Sequence, residues 1–276
     1  MKHEEYSWKS FDGLSVFAQS WKPDAAPRAA LALVHGQGDH SGRYVRLVER
    51  LVAGGIAVNA ADSRGHGRTE GPRAFAPSME SLMKDIDILL EQTRARFPGI
   101  PLFLYGHSFG GEQVLYYGLD RKPNVNGIIS SSPLLASGIH QPAAKIAAAK
   151  LLSRIVPRLT MAHGTPPRSL SHDTAFVESS LKDPLFQKVV SVRTAAVLLS
   201  ASEWIRTHTS FPVPLLIEQG TDDLYVSPSM TIDFARSLTG DVTLKIWEGL
   251  SHELHNELRK DEVIDSIIEW LNRHAH

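Results

Sequence analysis

Residues 101–111 read PLFLYGHSFGG, and the fold turns on how that stretch is parsed. Pro101 to Tyr105 form a short apolar run, the composition of a strand buried on both faces. Gly106-His107-Ser108-Phe109-Gly110 then matches G-x-S-x-G, and residues 109–118 carry helical patterning. A strand that enters a helix through one serine needs a very sharp turn. The serine takes a strained backbone conformation, and neighbours without a Cβ let strand and helix pass closely. Ser108 Oγ then projects from the carboxyl end of the strand, above a helix N-terminus that favours developing negative charge. The pattern alone is weak, because glycine is common. The strand before it and the helix after it make Ser108 the candidate nucleophile.

Outward from this turn, strand and helix patterns alternate. Upstream, 14–21, 30–34 and 56–61 read as strands, and 44–54 and 79–97 as helices. Gly54-Gly55 and Pro98-Gly99 supply the stops of those helices. Downstream, 125–130 reads as a strand. From about Leu134 to Thr209 the patterns are mainly helical, broken by Pro157 and Pro166-Pro167. Strand–helix order returns with strand 213–218, a helix near 228–238, strand 242–247 and a helix near 260–273. Such alternation predicts an α/β fold, a mostly parallel sheet with helices on both faces. The helical stretch predicts a cap over one end of the sheet. The expected division is a core of 1–133 and 210–276 with an inserted cap, 134–209.

A serine nucleophile needs an oxyanion hole, a base and an acid, in the chain order Ser, Asp or Glu, His. His35-Gly36-Gln37-Gly38 follows the strand 30–34, so the backbone N–H groups of Gln37 and Phe109 are the expected oxyanion donors. Strand 213–218 leads into Gly220-Thr221-Asp222-Asp223, and strand 242–247 into Glu248-Gly249-Leu250-Ser251-His252. Spacing alone leaves Asp222 and Asp223 unseparated, and His255 competes with His252. His35, His66 and His107 precede the serine and fall outside the base role. A metal reading of His35, Asp39 and His40 is weak, since polar residues in a glycine loop serve turns. No metal site is expected.

The chain has 276 residues, a formal net charge of -1 and no cysteine. No bulk positive field favours nucleic acid, and thiolate catalysis and disulfides are excluded. MKHEEYSWKS lacks the apolar core of a signal peptide, and no apolar run reaches the roughly 18 residues of a membrane span. The expected setting is soluble and cytoplasmic. Residues 143–159 place Lys150, Arg154 and Arg158 at i, i+4, i+8, a pattern that suits weak peripheral contact with an anionic membrane or, more simply, a cap helix burying one face. Pro157 interrupts it. The oligomeric state is not legible in the sequence.

The run His35-Gly36-Gln37-Gly38-Asp39-His40-Ser41-Gly42-Arg43-Tyr44 resembles the H-G-x-G-E-H-S-x-R-Y segment of monoacylglycerol lipases and related lysophospholipases. Asp62 to Gly71 resembles their D-x-R-G-H-G-x-S-x-G, with Thr69 replacing serine. Gly106 to Gly111 matches G-H-S-x-G-G, and Trp247 to Glu257 resembles Y-E-G-x-x-H-x-L-x-x-E. The resemblance implies an α/β-hydrolase fold with an eight-stranded sheet and a helical cap. It implies Asp223 as the acid, through G-x-x-D, and His252 as the base, with His255 left as a helix residue. It implies ester hydrolysis of a lipid-like substrate, a monoacylglycerol or lysophospholipid, through an acyl-enzyme without a cofactor. Arg43 and His107 are the expected polar substrate contacts. Two further features depart from the family. Leu224 replaces a basic residue after the acid, and 134–177 contains no glutamate to serve as the cap carboxylate that holds glycerol in monoacylglycerol lipases. Other chemistry on the same site (thioesterase, peptidase or cofactor-free peroxidase) and a non-catalytic binding protein are the alternatives. By analogy with free imidazole, activity should fall with acid around pH 6–7.

Overall fold

A computed structural model describes residues 1–138, 142–162 and 166–275. Eight strands form the main sheet: β1 (Lys2–Lys9), β2 (Ser15–Lys22), β3 (Ala29–Val34), β4 (Ile56–Ala61), β5 (Leu102–His107), β6 (Gly127–Ser131), β9 (Leu215–Gly220) and β10 (Val242–Trp247). Their spatial order is β1-β2-β4-β3-β5-β6-β9-β10. β2 runs antiparallel to both neighbours, and every other pairing is parallel. The fold is therefore that of an α/β-hydrolase.

The inner strands are buried end to end because both faces are covered. Alternate residues serve opposite faces. Leu31, Leu33, Phe103 and Tyr105 pack with α1 (Val45–Ala53) and α8 (Lys260–His274), whose Leu47, Leu51, Ile264 and Trp270 meet them. Ala30, Ala32, Leu102 and Leu104 face the other way, toward α2 (Met79–Arg96), α3 (Phe109–Arg121) and α7 (Pro228–Ser237). Small side chains on β3 let α2 and α3 approach this second face. Ser78 caps α2 by accepting from the Ser81 N–H, and Ser227 caps α7 just before Pro228.

β1 has no counterpart among the strands read from sequence. Its first four residues are polar or charged and exposed, so the alternation is confined to Tyr6 and Trp8, and eight register pairs with β2 hold it at the sheet edge. Between β6 and β9 the chain forms α4 (Ala143–Ile155), β7 (Thr160–Ala162), α5 (Thr174–Lys182), β8 (Val189–Ser191) and α6 (Val192–Ile205). The mainly helical reading of this stretch is thus incomplete, since β7 and β8 pair as an antiparallel ribbon. The basic row of 143–159 is also corrected. α4 ends at Ile155, ahead of Pro157, so Arg158 lies outside the helix, near the Phe75 ring.

Candidate active site

β5 delivers Ser108 and α3 begins at the next residue. Ser108 has φ 54° and ψ -113°, a conformation that costs a non-glycine residue about 1–3 kcal/mol. The surroundings impose it: Ser108 donates its N–H to Ser131 and its carbonyl accepts from Glu112 and Leu134. The flanking glycine is required sterically. A Cβ on Gly106 would lie 2.1 Å from the Gly110 carbonyl oxygen.

His252 stands opposite, in the loop after β10. Its Nε2 is 2.8 Å from Ser108 Oγ, and its Nδ1 is 2.7 Å from Asp223 Oδ2. Asp223 is buried, and each of its oxygens is fully engaged. The N–H groups of Tyr225 and Val226 donate to Oδ1 at 2.8 and 3.0 Å, and Gln219 Nε2 donates to Oδ2 at 3.1 Å. Asp222 is exposed and accepts from Thr221. The loop therefore turns one of the two adjacent carboxylates inward. Burial disfavours a charged His252, but Asp223 first, then Glu253 and Asp39, outweigh it and hold the imidazole pKa above its ordinary value.

Two further histidines, the rival His255 and His107, lie beside this trio. His255 sits in a short 3-10 turn, Leu254–Asn256, with its ring stacked on Tyr44 at 4.7 Å. Burial pushes its pKa down to about 3. His107 is buried, 4.8 Å ring to ring from His252, and burial holds it well below the usual imidazole range. Burial thus favours the neutral form of both rings.

Gly36 passes close beside Ser108: a Cβ there would lie 3.5 Å from Ser108 Cβ and 3.1 Å from Asp39 Oδ2. Gln37 follows, with Nε2 donating to the Val189 carbonyl of β8. Among the described residues, neither the Gln37 nor the Phe109 backbone N–H has a protein acceptor. Both amides are free to act as donors.

A cavity of about 630 Å³ opens on Ser108. Its floor includes Gly36, Gln37, Asp39, His107, His252 and Glu253. Its walls are mostly apolar: Leu134, Met161, Phe186, Val190, Leu198 and Leu199. That volume lies within the usual range for small-molecule sites. His107 reaches the lining. Arg43 stands one layer behind it, 5% exposed, between Asp39 and Glu253, with Phe176 and Phe186 against its guanidinium. Burial opposes ionisation of both carboxylates. Arg43 then holds the Asp39 pKa below its ordinary value, while Glu253 stays above.

Gln219, Tyr225 and Glu253 were not singled out by the sequence patterns. Adjacency to Asp223 and His252 was the available signal for the last two, and position at the end of strand β9 for the first.

The Hydrolase_4 family, described as serine aminopeptidase, S33, matches residues 25–259. The chain belongs to this family. Along its length, this hydrolase is 33% identical to human monoglyceride lipase over 268 residues, which is 95% of this chain and 86% of the lipase. It is 36% identical over 264 residues to an uncharacterized abhydrolase domain-containing protein of Dictyostelium discoideum. That match covers 94% of this hydrolase but only 28% of the longer protein. Among solved structures, the monoacylglycerol lipase of Paleococcus ferrophilus superposes with a TM-score of 0.84 at 31% identity, covering 100% of both chains. Among the described residues, no helix is long and apolar enough to cross a membrane.

Proposed function

We propose that this hydrolase cleaves carboxylic esters of lipid-like substrates, monoacylglycerols or lysophospholipids, through an acyl-enzyme on Ser108. The observation that carries the reading is His252, spaced 2.8 Å from Ser108 Oγ and 2.7 Å from Asp223, at the floor of a mostly apolar cavity. The relationship to monoglyceride lipases supports the ester and lipid parts.

In this reading Ser108 Oγ attacks the ester carbonyl as His252 Nε2 takes its proton. Asp223 fixes the tautomer and stabilises the imidazolium. The Gln37 and Phe109 N–H groups receive the oxyanion, each worth about 3 kcal/mol of barrier. His252 returns the proton to the leaving alcohol, the tetrahedral intermediate collapses, and the acyl group stays on Ser108. Water, deprotonated by His252, then releases the acid. The acyl chain occupies the apolar walls, with 134–209 acting as the cap, and the alcohol lies toward Asp39, His107 and Glu253. Arg43 acts on substrate through the two carboxylates it braces. No cofactor enters any step. The cap also makes weak peripheral contact with lipid surfaces, through Leu151, Ile155, Val156 and Leu159, which are exposed. The reaction is placed in the cytoplasm.

The family description supports a second reading, an aminopeptidase, whose substrate ammonium would sit against Asp39 and Glu253. One panel separates the two: 1-monoacylglycerols, lysophospholipids and aminoacyl anilides, each with the wild type and Ser108→Ala. Release of fatty acid by the wild type and background rates for Ser108→Ala are expected. Anilide cleavage without ester cleavage selects the second reading, and full activity of Ser108→Ala overturns both.

A further inference from the structure

Tyr225 lies two residues after Asp223 and touches three parts of the site. Its N–H donates to Asp223 Oδ1 at 2.8 Å. Its hydroxyl donates to the Pro166 carbonyl at 3.3 Å, on the segment between β6 and β9. Its ring stacks on the His252 imidazole, with centroids 4.9 Å apart and planes 18° from parallel. The phenol therefore covers one face of the base while His107 abuts the ring from elsewhere. In the sequence, adjacency to Asp223 is its only signal.

We propose that Tyr225 is a positioning residue for His252, holding the imidazole plane toward Ser108 and stabilising its protonated form through the π face. The proposal rests on the acyl-enzyme reading above. The face of an aromatic ring carries negative electrostatic potential. A cation within about 6 Å of that face is attracted to it. His252 is neutral before attack and an imidazolium once it has taken the Ser108 proton. The attraction is therefore stronger after proton transfer begins than before, which is the condition for accelerating a step. A flat contact also limits rotation of the ring out of the Asp223–Ser108 line.

Other groups act on the same imidazole. Asp223 reaches it from the loop after β9, Asp39 from the loop after β3, and Glu253 from its own segment. His107 faces it from β5, and His255 from the following turn, with Arg43 behind the carboxylates. All of these remain when only the Tyr225 side chain is changed, so a change in the titration of His252 isolates the ring.

The test is kcat/KM against pH with a soluble p-nitrophenyl ester, for the wild type, Tyr225→Phe and Tyr225→Leu. A nitrogen NMR titration of the His252 ring accompanies it. Phe keeps the π face, and its midpoint should match that of the wild type. Leu removes the face. Its midpoint should fall by about 0.5 to 1 pH unit and its kcat by roughly three- to tenfold, the size of a cation–π contact. If Tyr225→Leu does not fold, difluoro- and pentafluorophenylalanine at position 225 answer the question. They keep the shape and drain the π face, so the midpoint should drop with each added fluorine. Equal midpoints in Leu and pentafluoro variants and the wild type would overturn the proposal while leaving the acyl-enzyme reading intact. A wild type without any midpoint, together with an active Ser108→Ala, would remove both.

Discussion

Arg43 and Glu253 stand 210 residues apart in the chain and 3.0 Å apart in the fold. Asp39 closes the other side of the same guanidinium. All three side chains are 5% exposed or less, so two carboxylates share one buried cation. Removing the cation leaves both carboxylates without compensation. Arg43→Met should therefore destabilise the protein by roughly 3–5 kcal/mol, as read by urea denaturation. The loss should be larger at pH 8 than at pH 5. Burial raises the Glu253 pKa even with Arg43 present, and a carboxyl whose folded pKa is raised loses stability as pH climbs through that value. A cost below about 1 kcal/mol would mean the triad is not a brace.

The base titrates in the opposite sense for activity. His252 acts when neutral, and its folded pKa is raised above 6.5 by Asp223, Glu253 and Asp39 against the penalty of burial. The imidazolium therefore persists to higher pH than in free imidazole. kcat/KM should rise with pH through a midpoint above 6.5, which moves the sequence-based expectation of 6–7 to its upper end or beyond. Stability follows the reverse sign. The contribution of His252 is fully present below about 6.5 and is lost as pH rises through the folded value. Rates from pH 5 to 9 measure the first effect, and urea unfolding at several pH values the second. A flat rate across pH 5 to 8 contradicts the role of His252.

Asp223→Asn probes what the acid does beyond holding the loop. The two N–H donors on Oδ1, from Tyr225 and Val226, are still satisfied by an amide oxygen. On the other side an NH2 group now faces His252 Nδ1 and the Gln219 amide, both of which had donated to Oδ2. His252 must turn to the wrong tautomer, and Gln219 Nε2 keeps only the Gly220 carbonyl as acceptor. The expected result is a folded protein with kcat lowered by about 10⁴ and KM little changed. Asp222→Asn, on the exposed neighbour, should leave kcat within a factor of about two. Equal losses in both variants would dissolve the distinction that the loop geometry draws.

What the sequence discloses here is mainly backbone chemistry. A strained serine, a close strand–helix crossing and a glycine loop beside it leave a residue signature, so Ser108 and the Gly36–Gln37 turn could be found by pattern. Alternation of buried strands with amphipathic helices did the same for the sheet. β1 escaped because an edge strand needs hydrogen bonds to β2 and little apolar surface. Asp222 and Asp223 were inseparable locally, since only the tertiary turn decides which carboxylate points inward. Resemblance, rather than spacing, favoured Asp223. Arg43 reads from the motif loop as a polar substrate contact; the sequence places Asp39 four residues before it, but not Glu253, which the fold brings across to its other side. Tyr225 and Glu253 act through contacts of that same long-range kind, whereas Gln219 reaches Asp223 only four residues on, through a turn that no local residue pattern marks.

The cap offers a final case where structure changes the physical argument. From sequence, a basic row at Lys150, Arg154 and Arg158 suggested an electrostatic contact with anionic lipid. In the fold, Lys150 pairs with Glu203 at 3.7 Å, and Arg158 lies past the helix end. Leu151, Ile155, Val156 and Leu159 are instead 58%, 67%, 41% and 50% exposed. Ile146 and Ala149 of the same helix line the cavity, so α4 presents one side to the substrate space and another to solvent. Peripheral binding should therefore be driven by apolar area, at up to roughly 25 cal/mol per Å² removed from water. Co-sedimentation with neutral phosphatidylcholine vesicles should occur and change little between about 0.05 and 0.5 M salt, because screening acts on charges and not on this surface. Leu151→Asp combined with Ile155→Asp should weaken it by about tenfold or more while hydrolysis of a short soluble ester continues. Binding that needs anionic lipid and vanishes at high salt would return the role to the arginines, and no binding to either vesicle would remove the membrane contact from the proposal.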